Sequence, residues 1–253
     1  ASVRANPMVW LLLNLALPWD LVVCVLLARL KDDLAQRVPD WLSAWYRIEA
    51  LASLADAAYL NPEYVFPELA ASAEPDGRLL CARGLGHPLL PASAKVGNDL
   101  DLDGTGRVMV ITGANMSGKS TFVKAVGANA ALAMAGGPAS AREMVISPVR
   151  LFAVIRIADS LTDGISYFYA EVQRLRALLD AADEAERPGE DTLLFLIDEL
   201  FRGTNNRERL LGSREILREL AGRPVAGLVA THDLELAALA DEIGAVRNLH
   251  FCD

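Results

Sequence analysis

Residues Ile111–Phe122 read ITGANMSGKSTF. Within them, Gly113 to Ser120 fits the spacing G-x-x-x-x-G-K-[ST]. The preceding RVMVIT is an apolar, β-branched run that predicts a strand, and GKSTFVKAVGANAALAMA predicts a helix. Strand, glycine-rich loop and helix in that order form a cradle for phosphate. The glycines let backbone N–H groups approach phosphate oxygens, and the helix N-terminus adds partial positive charge. Lys119 is expected to neutralise the phosphates and the Ser120 hydroxyl to bind Mg²⁺. The candidate nucleotide-binding residues are Gly113, Ala114, Asn115, Met116, Ser117, Gly118, Lys119, Ser120 and Thr121.

Downstream of the loop, short apolar runs alternate with amphipathic ones. VRLFAVIRI, TLLFLI, VAGLVAT and GAVRNLHF predict strands. YAEVQRLRALLDAADEA, RERLLGSREILRELA and LELAALADEI predict helices. The fold class expected is α/β, a P-loop NTPase with a mostly parallel sheet flanked by helices. Strands as uniformly apolar as LLFLI are expected where helices cover both faces of such a sheet.

TLLFLI runs directly into Asp198 and Glu199. A carboxylate at a strand end beside a phosphate loop can hold the Mg²⁺ shell, which is the role expected of Asp198 together with Ser120. An adjacent second carboxylate, Glu199, can take a proton from the attacking water. A GTPase that only orients water has no need of it, so the pair points to ATP hydrolysis with a general base. LVATHD places His232 at the end of the next apolar strand, where parallel sheets put their ligands. There it can sense the terminal phosphate or position water, and it is read as a catalytic residue beside Glu199. His87 and His250 are read as structural.

The first 70 residues have a different texture. Met8 to Leu30 is almost wholly apolar and long enough for a bilayer, but Asn14, Pro18 and Asp20 fall near its middle. A helix buried against protein is favoured over a membrane hairpin. WLSAWYRIEALASLADAAYL reads as a second helix, ended by the prolines of NPEYVFPEL. The division expected is a helical segment over 1–70 and the ATPase domain over 71–253.

Net charge is −9 over 253 residues, a poor balance for displacing counterions from nucleic acid. Arg202, Arg207, Arg209 and Arg214 are interleaved with Glu208 and Glu215 and read as a solvated helix face. Three distant cysteines without ligand spacing indicate a reduced, cytoplasmic protein. The chain opens with Ala1, which reads as a fragment or a processed product.

Taken together, ITGANMSGKSTF, LLFLIDELFRGTNNRER and LVATHD resemble the MutS family of ABC-superfamily ATPases. Asn115 and Met116 match the family's pair in the phosphate loop, and Arg202, Gly203 and Thr204 match its Arg-Gly-Thr turn. IADSLTDGISYFYAEV resembles its signature segment, with Ser166 on the signature serine and Phe168 on the aromatic that follows. RGLGHPLL and EALASLADAA resemble the segments before the sheet. The resemblance implies an ATP- and Mg²⁺-dependent homodimer through the ATPase domain. Lys119, Ser120, Asp198, Glu199 and His232 come from one subunit, and Ser166 reaches in trans to the partner's nucleotide.

Departures from the family are also visible. No mismatch-reading domain with a Phe-x-Glu wedge is present, and Lys95 or Val96 stands where an aromatic is usual. Little follows HFCD. The chain resembles most a smaller MutS-like branch with hydrophobic N-terminal segments. That leaves DNA contact, in repair or recombination, to regions outside these residues. It also allows membrane association of the full-length protein. The alternative function is a membrane-associated scaffold switched by ATP, without direct mismatch recognition.

Overall fold

The computed structural model describes residues 7–16, 18–70, 77–114, 116–155, 167–201 and 205–251. Asn115, Ser166, Arg202, Gly203 and Thr204, singled out above, lie outside these residues. Tertiary contacts divide the chain into two units, residues 1–55 and 56–253.

In the first unit, the apolar Met8–Leu30 stretch is two helices rather than one. Helix α1 is Pro7–Ala16 and helix α2 is Trp19–Leu60. The break falls at Pro18, which has no N–H to donate but whose carbonyl accepts from Val22 N. The Trp10 indole donates to Asp20 across it, at 3.0 Å. Beyond the break, α2 continues for 42 residues and absorbs the segment expected to be a separate helix. Pro39 lies inside it without ending it. A proline there removes one backbone bond at a cost of about 3 kcal/mol. No residue of α2 is buried, so water can satisfy the carbonyl left unpaired. Leu21, Leu26, Leu27, Leu30, Trp41 and Trp45 are each more than half exposed on this helix. Among the described residues, no helix is long and apolar enough to cross a membrane.

The second unit holds two sheets. Strands β1 (Glu68–Leu69), β2 (Arg78–Leu85), β3 (Asn98–Asp103) and β5 (Glu143–Ile146) form one, in the order β1-β5-β2-β3. It is antiparallel apart from β1 with β5, and the sequence reading did not foresee it. Strands β4 (Val108–Gly113), β6 (Val149–Val154), β7 (Thr192–Asp198), β8 (Val225–Ala230) and β9 (Val246–Phe251) form the other. Its order is β6-β7-β8-β4-β9 and every pairing is parallel. Between the strands lie helices α3 (Lys119–Met134), α4 (Tyr167–Ala185) and α5 (Asn206–Leu220). LELAALADEI forms two single-turn helices, α6 (Leu234–Ala237) and α7 (Leu239–Glu242), rather than one.

Alternation along the strands divides the core in two. Met109, Ile111, Leu194, Leu196, Ala226 and Leu228 face one cluster, shared with α3 and the smaller sheet. Val108, Val110, Leu193, Phe195, Ile197 and Val229 face the other, shared with α4 to α7. Each fully buried Leu or Ile contributes about 1.5–3 kcal/mol relative to exposure. This two-sided burial is why the central strands β7 and β8 are apolar along almost their whole length.

Two glycines set the closest approaches. At Gly127 on α3 a Cβ would lie 2.7 Å from Leu196 Cδ1, so the helix rests directly on β7. At Gly227 on β8 a Cβ would lie 2.5 Å from the Phe195 ring, and neither strand can move aside inside a parallel sheet. Gly227→Ala is therefore expected to destabilise the domain by at least about 2 kcal/mol through overpacking. The expected result is a lower urea midpoint at unchanged m-value. An unchanged midpoint would show that the Phe195 ring relaxes at no cost.

Candidate functional site: a glycine-rich loop at the sheet's C-terminal edge

The register of the parallel sheet brings three strand ends level. Ile111 of β4 and Asp198 of β7 both pair with Ala230 of β8. Thr231 N donates to Ile111 O, and Glu199 N donates to Ala230 O, each at 2.9 Å. The phosphate loop, the two carboxylates and His232 therefore leave the sheet at one edge, where open parallel sheets bind ligands.

The loop between β4 and α3 takes the shape its glycines permit. Gly113 has φ 147°, and a Cβ there would lie 2.6 Å from Phe251 O. Gly118, at φ 94°, caps α3 from the left-handed region. Met116 has φ 70° and a fully exposed side chain. Lys119 begins α3 and is buried; its ammonium donates to the Gly113 carbonyl at 2.7 Å and the Ala114 carbonyl at 2.5 Å. The charge thus sits inside the curl of the loop, beside the helix N-terminus. Ala114, Ser117 and Thr121 complete the described part of the cradle, with Ser117 Oγ buried beneath it.

Ser120 Oγ donates to Asp198 Oδ1 at 2.6 Å, across 78 residues of sequence. Asp198 is buried. Two hard oxygen ligands side by side, next to a phosphate cradle, suit Mg²⁺, which takes only one or two protein ligands and fills its shell from phosphate and water. No group of three or more His, Cys, Asp or Glu able to hold a metal occurs among the described residues.

Glu199 Oε1 lies 3.0 Å from His232 Nδ1, so these two residues, far apart in sequence, form one unit. Glu199 has φ 63° and Phe201 φ 55°. Left-handed backbone at non-glycine residues costs about 1–3 kcal/mol each and persists only where surrounding contacts hold it. Part of that hold comes from Glu171 on α4, which sequence reasoning missed. Its buried carboxylate accepts from Phe201 N at 2.5 Å. Phe168, on the same helix, stacks obliquely on the Phe201 ring with centroids 6.2 Å apart. Asn205 then caps α5 by accepting from Glu208 N. His232 is set by the turn after it: Asp233 N donates to Thr231 Oγ1, and Asp233 caps α6.

His250 Nδ1 lies 3.1 Å from Thr112 Oγ1 on the neighbouring strand, a sheet-internal contact. His87 is not placed among such contacts: it lines a cleft of about 330 Å³ together with Met116, Ser117, Gly118 and Thr121 of the loop.

Comparison with known proteins shows the family. The family model for MutS domain V matches residues 109–252, more than half of the chain. The "DNA mismatch repair protein MutS" of Chloroflexus aurantiacus is 34% identical over 233 residues, covering 88% of this chain and 23% of that protein. The "DNA mismatch repair protein MutS 2" of Halobacterium salinarum is 35% identical over 224 residues, covering 87% and 24%. The "Endonuclease MutS2" of Thermus thermophilus is 34% identical over 163 residues, covering 64% and 21%. The chain thus spans less than a quarter of the length of these relatives, and it belongs to the MutS family through its domain V.

Proposed function

We propose that the chain is a Mg²⁺-dependent ATPase domain of the ABC type, acting as one half of a MutS-like dimer with nucleotide held between two copies. The observation that carries this reading is the convergence, at one sheet edge, of Lys119, the Ser120–Asp198 pair and the Glu199–His232 pair. Lys119 and the loop N–H groups bind the phosphates. Ser120 and Asp198 would hold the Mg²⁺, which supplies charge neutralisation on the terminal phosphates. Glu199 takes the proton of the attacking water, and His232 keeps its carboxylate in place. Ser166 of a second copy would complete the site, so that ATP draws two copies together and hydrolysis lets them part.

The printed names of the relatives favour a role in mismatch repair or recombination. The net charge of −9 weighs against these residues as the main contact with DNA. A second reading, a membrane-associated scaffold switched by ATP, is favoured by the apolar side chains exposed along α1 and α2. Flotation with anionic vesicles separates the two. Protein that stays at the bottom of the gradient supports the first reading, and protein that floats supports the second.

Lys119→Ala is expected to weaken ATP binding by at least about 100-fold, read by titration calorimetry, because the buried ammonium has no substitute. Glu199→Gln is expected to keep ATP affinity within a few-fold. Its turnover should fall by about 100-fold or more, and it should sediment as a dimer in ATP. Normal turnover by Glu199→Gln would remove Glu199 from the base role. For the unaltered chain, ATP turnover per molecule is expected to rise with protein concentration and then saturate. A constant rate down to nanomolar protein would place the whole site in one copy.

A further inference from the structure

The cleft beside the phosphate loop extends away from it between α3, the start of β3 and the loop that follows β2. Its walls are largely apolar, with Phe251 beside the loop and Leu85, Leu90 and Val96 beyond it. His87 projects a polar ring among them, and its hydrogen bonding is already half determined. Leu89 N donates to His87 Nδ1 at 3.2 Å, which makes Nδ1 the acceptor and leaves the proton on Nε2. Burial and the nearby Lys124 charge hold the ring's pKa below the usual histidine value, so the neutral, donor-bearing tautomer prevails at neutral pH.

The loop that carries His87 is clamped on both sides. Asn129, fully buried on α3, donates from Nδ2 to Gly86 O at 2.9 Å and to Ala125 O at 2.8 Å, and accepts from Ser140 N at 2.6 Å. Gly86 N in turn donates to Ser140 O at 2.8 Å. An amide in the middle of a helix of Ala and Val is costly to bury unless it is paired in this way. On the other side Tyr64 Oη donates to Pro88 O and accepts from Lys95 Nζ, each at 3.0 Å, with the ammonium 4.4 Å from the ring centroid. The residues on either side of His87 are thus fixed relative to the helix that begins at Lys119.

We propose that His87 reads the nucleoside part of the bound nucleotide, donating from Nε2 to an acceptor on its base or sugar, and that Asn129 is the positioning residue that holds His87 there. This rests on the ATP reading of the adjoining loop. It explains why a polar ring is held rigidly among apolar walls at the end of a phosphate site.

The test is titration calorimetry of the whole chain with three ligands: ATP, ribose 5-triphosphate and inorganic tripolyphosphate. His87→Ala is expected to weaken ATP roughly tenfold and to leave tripolyphosphate unchanged, while His87→Gln, which keeps a donor, recovers most of the loss. Equal weakening of ribose 5-triphosphate would assign the contact to the sugar, and weakening of ATP alone to the base. Asn129→Leu is expected to weaken ATP but not tripolyphosphate, and to add nothing further in the His87→Ala background. Weakening of all three ligands by His87→Ala, or of none, overturns the proposal. So does an Asn129→Leu effect that adds fully to that of His87→Ala. Lys119→Ala is the control for the phosphate site itself: if it leaves all three ligands unaffected, the ATP reading fails, a result distinct from failure of the His87 assignment.

Discussion

The parallel register of the larger sheet is the constraint from which the rest of the site follows. Because Ile111 and Asp198 both align with Ala230, the chain leaves β4, β7 and β8 at the same height. A slip of one residue in β7 would turn Asp198 to the opposite face and break its contact with Ser120. The register is enforced from both sides. Leu194 and Leu196 must enter the cluster shared with α3, while Leu193, Phe195 and Ile197 enter the cluster shared with α4 and α5. The geometry of the candidate site is therefore secured by apolar packing well away from it, and polar contacts at the rim only complete the placement.

At the rim the backbone is less comfortable. Glu199 and Phe201 both adopt left-handed conformations, and the turn is retained by contacts from another element. Glu171 and Phe168 lie on the first turns of α4, directly after the segment in which Ser166 falls. One helix thus joins the stretch read as reaching toward a partner to the turn that carries Glu199.

How much of this was legible in the sequence depended on how completely each element is buried. RVMVIT, TLLFLI and VAGLVAT were readable as strands because both of their faces are covered, and the loop after the first of them was readable because its glycines mark a turn between strand and helix. The smaller sheet was not foreseen. NDLDLD alternates Asp with Leu, and only Leu100 and Leu102 enter the core, so the run looks polar unless its period of two is noticed. Pro39 stands inside a helix that has no buried residue, and solvent meets the carbonyl it frees. Asn129 and Glu171 left fainter signals. Each is a lone polar residue on a helix face that is otherwise apolar, and only its partners, distant in sequence, reveal why it is there.

Gly127 has a bearing on how this protein can change over generations. It allows α3 to lie against Leu196 without an intervening side chain, and α3 carries Lys119 and Ser120 at its first turn. A Cβ at that position would press on the terminal methyl group of Leu196, and that side chain would have to turn aside for the helix to keep its seat. A bulkier side chain at position 196 would press on the helix from the other direction. Core packing and candidate site therefore meet at these two positions: a change at either is felt at the seat of the helix that carries Lys119 and Ser120.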